Sequence, residues 1–118
     1  MDNPELGRKV LDVADFEPEH FDMHVWAKHS LCGTVACLAG HALLQAGYEL
    51  DSWSQFVRPD DLSYVTGIPW EAELVLGMTG EEVDGAHGSN LPLWNDFENG
   101  LERFRAVVEK AEKEQGGR

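Results

Sequence analysis

A chain of 118 residues is long enough for one domain and too short for separate cofactor and substrate lobes. An apolar share of 42% with four Trp predicts a folded chain rather than a disordered one. Against 22 Asp plus Glu stand 9 Lys plus Arg, and the net charge of −13 repels phosphate backbones and anionic lipids, which argues against direct nucleic-acid binding and against a membrane surface.

The first residues, Met1-Asp2-Asn3-Pro4-Glu5, lack a basic stretch followed by an apolar one, and the apolar run from Val35 to Leu44 is too short to span a bilayer. A cytoplasmic protein is expected. Asn3 as N-cap and Pro4 at the first helical position predict a helix to about Ala14, with Leu6, Val10, Leu11 and Val13 near one face. After the break at Asp15-Phe16-Glu17-Pro18, the stretch Phe21 to Trp26 reads as a short helix beginning at Asp22.

From 34 to 46 the sequence predicts a buried central helix, with Thr34 as N-cap and Gly47 just past its end. Val35, Leu38, Ala39, Ala42, Leu43 and Ala46 follow helical spacing, and Ala36, Cys37, Gly40 and Leu44 make the opposite side apolar too. Thr34, His41 and Gln45 form the one polar strip, which predicts a partly exposed His41. Ala39 and Gly40 are expected where helices cross closely.

Trp53, Phe56 and Val57 read as anchors of a connection, and Asp60 to Val65 as a short helix ended by Gly67. Pro69 opens a further helix with Trp70, Leu74, Val75 and Met78 on one face, and Thr79-Gly-Glu-Glu82 is a capping box for another. Residues 85–92 read as a loop. A second capping box, Asn95-Asp-Phe-Glu98, opens a long amphipathic C-terminal helix over about 96–114, with Phe97, Leu101, Phe104, Val107, Val108 and Ala111 as its apolar stripe. With no alternating β-branched run and no hairpin signal, the expected fold class is all-α. The expected form is a compact irregular bundle of five or six helices in one domain over 1–114, with 115–118 a frayed tail.

The segment Cys32-Gly-Thr-Val-Ala-Cys37-Leu-Ala-Gly40-His-Ala42, preceded by Phe21-Asp-Met23 and Trp26, resembles a group of small actinobacterial and phage proteins that carry a C-G-T-x-x-C-x-A-G-x-A core. Leu76-Gly77-Met78-Thr79-Gly-Glu-Glu-Val83 is similar to the turn and helix that follow it there. The resemblance covers roughly residues 21 to 84. It implies a shared small helical fold and a phage or actinobacterial setting, and no catalytic residue.

Cys32, Cys37 and His41, with His24 or His29 as a fourth ligand, form a C-x4-C-x3-H set that a zinc or thiol redox module would use. The spacing departs from paired zinc knuckles, so Cys37 is expected as a core residue and no metal or cofactor is assigned. A Cys32 to Cys37 disulfide is sterically open. Neither a phosphate loop, a nucleophile elbow nor an HExxH pattern is present, so no enzyme is expected.

Charge placement is the strongest anomaly. Residues 59–102 hold ten carboxylates and no Lys or Arg. A solvated acidic surface explains this, and so does an interface for a basic partner surface, including mimicry of a phosphate backbone. The second explanation makes the chain a non-enzymatic protein-binding module, in a phage setting one that modulates a host protein. Its contact residues would be Asp60, Asp61, Glu71, Glu73, Glu81, Glu82, Asp84 and Trp94. Trp26, Trp53 and Trp70 are expected in the core, and Trp94, beside Leu91-Pro-Leu93, at the surface.

Overall fold

The computed structural model describes residues 1–30, 33–85 and 92–116. Five α-helices and two small antiparallel sheets occur among them, so the fold is mixed and the all-α expectation is overturned. Helix α1 (Pro4–Phe16) begins where its sequence dictates: the Asn3 side chain accepts the Leu6 N–H at 3.3 Å and Pro4 stands at the first helical position.

Past a 3-10 helix at Pro18–His20, the expected helix at Asp22 is absent. Asp22 accepts the His24 N–H in a tight turn, and the chain enters strand β1 (Ala27–Ser30). This strand pairs with β2 (Gly33–Ala36) in register Ala27 to Ala36 and His29 to Thr34. Thr34 is therefore a strand residue and not an N-cap. Extended Cys37 is the N-cap of α2 (Leu38–Gln45), three residues later than the expected cap at Thr34. Helical spacing misled here because Val35 and Ala36, small and apolar, satisfy either period.

Helix α2 is the centre of the molecule. Leu38 through Leu43 are all buried, His41 included. Its neighbours are α1 and α3 (Ile68–Leu76), and α5 (Gly100–Gly116) closes the other side of α1. Gly40 explains the closest approach in this layer. A Cβ there would collide with the carbonyl oxygen of Trp26 and lie 2.8 Å from the Ala36 Cβ. The expected close crossing is therefore helix on hairpin rather than helix on helix.

Strands β3 (Glu49–Leu50) and β4 (Phe56–Val57) form the second sheet, and Tyr64 bridges back to Val57 where a helix over 60–65 was expected. Two-residue strands lie below the length at which alternation can be read. Helix α3 buries Ala72 and Leu76 and turns Trp70 and Leu74 outward, contrary to the face expected for it. It ends on Gly77 at φ +66, where Asp2 packs closely and donates its N–H to the Gly77 carbonyl at 2.9 Å.

Thr79 and Glu82 form the reciprocal capping box of the short helix α4 (Gly80–Asp84). The box expected at Asn95 does not form: residues 93–95 make a 3-10 turn, Asp96 accepts the Asn99 N–H at 2.9 Å, and α5 starts at Gly100, which leaves Phe97 exposed. Phe104, Val108 and Ala111 are the buried stripe of α5. The expected loop at 85–92 falls largely outside the described residues, as does Cys32. No described helix is long and apolar enough to cross a membrane.

Candidate functional site

The expected contact residues divide into two groups on opposite flanks of α3. Helical geometry of about 100° per residue separates them. Trp70 and Leu74 lie within roughly 40° of each other on the outward face, Glu71 falls to one side and Glu73 to the other.

On the first flank, Glu71 is nearly buried and is held by Arg58 through two parallel N–H bonds of 3.0 Å, with the Tyr48 hydroxyl donating to it at 2.6 Å. These donors keep the Glu71 carboxyl below its ordinary range. Burial, reinforced by the carboxylate, pushes the Tyr48 phenol up to about 12. Arg58 also donates to the Ser63 hydroxyl and the Tyr64 carbonyl, and Ser63 in turn donates to Asp61 through its N–H and Oγ. The Asp61 carboxyl is lowered chiefly by the Ser63 hydroxyl. Glu71 and Asp61 are thus structural members of a clasp between the second sheet and α3. Asp60 stands exposed beside them.

On the second flank, the expectation of an exposed Trp94 is overturned. Trp94 is 3% exposed, packs against Phe104 with ring centroids 6.3 Å apart, and donates its indole N–H to Glu73 at 3.1 Å. Glu73, Asp84 and Trp94 line one depression of about 270 Å3, together with Gly80 and Val83. Glu82 is taken up locally, since it accepts the Thr79 N–H at 2.8 Å and the amino group of Met1 at 2.6 Å. Glu81 is exposed on α4.

The tryptophans expected inside are outside. Trp26, Trp53 and Trp70 are 42%, 82% and 66% exposed. Large area favours burial on average, yet Trp26 follows a turn, Trp53 lies in one and Trp70 stands in the first turn of a helix, where the local backbone and not the core sets the direction of the side chain.

No protein-family model, curated protein or solved structure matches the chain. Its chemistry is therefore read from the residues alone. Around the cysteine and histidine set, His41 Nε2 lies 2.5 Å from the His20 carbonyl, so that nitrogen carries the proton and donates. The ring stacks on Phe21, and burial holds its pKa below the usual histidine value. Cys37 is buried, its thiol directed at the Trp26 carbonyl, and burial raises its pKa. Both groups are spent on backbone carbonyls rather than on a common point. No group of three metal-ligating side chains is gathered among the described residues.

Cys37 should accordingly resist thiol reagents. In a Cys32→Ser protein, which leaves one thiol, a chromogenic disulfide reagent is expected to react at the rate of global unfolding. Stoichiometric labelling within seconds in native buffer would contradict the burial.

Proposed function

We propose that the protein is a non-enzymatic, acidic binding module of the cytoplasm that docks on a protein partner with a basic surface, through the outward face of α3. The observation that carries this reading is the pair Trp70 and Leu74, 66% and 62% exposed, one turn apart on the side of the helix opposite Ala72 and Leu76. Single exposed apolar residues are ordinary. An i, i+4 Trp and Leu on one helix face is the arrangement by which helices anchor in partners, and Trp is enriched among the residues that dominate binding energy.

Charge supplies the sign of the partner. The ridge sits within the segment that has ten carboxylates and no cation of its own, so encounter with a basic surface is favoured and encounter with nucleic acid or with anionic lipid is not. The actinobacterial and phage resemblance of residues 21–84 extends the proposal to a phage factor acting on a host protein. A thiol or zinc module built on Cys32, Cys37 and His41 has less support, because Cys37 and His41 are engaged with the backbone.

The test uses the double variant Trp70→Ser, Leu74→Ser, whose changes fall on exposed positions and should leave the melting temperature within about 2 °C. A host protein captured by the wild-type chain is purified and its affinity measured. Loss of a central aromatic anchor is expected to weaken it at least 30-fold, equivalent to about 2 kcal/mol. Added salt should slow association, since exposed charges are screened over about 8 Å at physiological ionic strength. Affinity indifferent to both the variant and salt would overturn the reading.

A further inference from the structure

Beside the Trp70 and Leu74 ridge lies a feature that the ridge alone does not explain. A second depression, of about 230 Å3, is lined by Trp70, Glu73, Leu74, Met78 and Gly80. It shares Glu73 and Gly80 with the depression that Val83, Asp84 and Trp94 line, so the two lie side by side across the start of α4 and are together termed the trough. Gly80 stands at the join with open space where a side chain would be, which lets another backbone come close.

The trough is apolar at the end lined by Trp70, Leu74 and Met78, and carries the carboxylates of Glu73 and Asp84 beyond it. Glu73 Oε2 accepts the Trp94 indole N–H, which fixes the carboxylate in place. None of the ion pairs recorded among the described residues involves Glu73 or Asp84. Four other acids are held by arginines, Glu71 by Arg58, Asp96 by Arg103, Asp15 by Arg105 and Glu112 by Arg8, whereas Glu73 and Asp84, like Glu81 and Glu98, are in none of these pairs. A second copy of this chain would bring another net −13 to the surface, so a copy is a poor occupant.

We infer that the trough receives a partner segment in which a Lys or Arg is flanked by apolar side chains, the cation seated at Glu73 and Asp84 and an apolar neighbour on Trp70, Leu74 and Met78. This rests on the reading of α3 as the contact face and adds which side of it is used. The anchored carboxylate makes the cation position specific, because a preorganised acceptor loses little freedom when it is engaged.

The experiment follows the tryptophan indole N–H signals of the full chain by NMR while three 12-residue probes are added: an amphipathic Lys and Leu peptide, its Glu-for-Lys counterpart and oligolysine. The Lys and Leu peptide is expected to shift the Trp70 and Trp94 indoles and to leave Trp53 in place, with the other two probes at least tenfold weaker. Glu73→Gln with Asp84→Asn should weaken that peptide five- to tenfold, the Gln still accepting the indole N–H. Removing two charges elsewhere, as Glu109→Gln with Glu114→Gln, should not.

Equal binding of oligolysine, equal weakening by the two charge-removal pairs, or shifts centred on Trp53 would each overturn the inference in favour of diffuse charge attraction. If the purified partner loses affinity with Trp70→Ser, Leu74→Ser but not with Glu73→Gln, Asp84→Asn, the trough is wrong and the contact face stands. Indifference of the partner to the first pair removes both.

Discussion

Gly40→Leu should destabilise the protein by about 3 kcal/mol, the upper end of the usual range for overpacking. The added side chain meets the Trp26 carbonyl, a backbone group in the turn leading into β1, and that carbonyl also faces the Cys37 thiol. Backbone held by a hairpin cannot swing aside as a flexible side chain would. Gly40→Ala separates the two opposing effects, because helix propensity alone would favour Ala by about 1 kcal/mol. Urea titration should nevertheless find the Ala variant less stable than wild type, and the Leu variant less stable again. A gain in stability for Gly40→Ala would show that the hairpin does not press on α2.

The second large effect belongs to His41. His41→Leu should cost about 1–3 kcal/mol at neutral pH, because the His20 carbonyl loses its donor in a buried place. The pH dependence distinguishes this from simple loss of packing. Burial lowers the pKa of His41 in the folded protein, opposed first by its hydrogen bond to the His20 carbonyl and then by Glu17, while the His20 ring acts with the burial. As pH falls below the ordinary histidine value of 6.5, the unfolded chain takes up the proton first, so wild-type stability declines from there down to the folded pKa. Paired carboxylates such as Glu71 and Asp96, held below their ordinary ranges, stabilise above those ranges and lose that contribution as the pH falls further into the acid. Wild type should thus lose stability in two windows, and His41→Leu in the lower one alone. An unchanged upper window in the variant would assign that titration to another group.

Much of the framework was legible because single residues have local consequences. Asn3 with Pro4 marked the start of α1, and Thr79 with Glu82 marked α4, since a cap is a contact between neighbours in sequence. The sheets were not legible. Ser30 and Gly33 are paired, yet the two residues between them in sequence, Leu31 and Cys32, carry none of the Asn or Gly that signals a two-residue connection. For α5, the apolar period began at Phe97, but Asp96 binding the Asn99 N–H delayed the helix to Gly100 and turned Phe97 outward.

The site was legible in charge and illegible in detail. Counting located the acidic segment but could not tell a carboxylate clasped by an arginine from one that is not. Glu71 and Glu73 are two residues apart, and what separates their roles is Arg58 on one flank of α3 and Trp94 on the other, neither of which spacing reveals. Trp94 read as exposed because of its Pro and Leu neighbours, whereas its partners Phe104 and Glu73 come from two other helices, α5 and α3.

The first residues of the chain hold the far end of α3. Asp2 and Asn3 donate their N–H groups to the Gly77 and Leu76 carbonyls at 2.9 and 3.0 Å, and the Asn3 amide reaches the Val75 carbonyl at 3.3 Å. Helix α3 is therefore not a local event in folding. Its last turn is capped locally at Gly77, but the Val75, Leu76 and Gly77 carbonyls gain these partners only when a loop of more than seventy residues has closed, an entropic cost that is met before those three bonds form. Opening at the start of α1 would strip those donors from the end of α3 and so loosen it from the opposite end of the sequence.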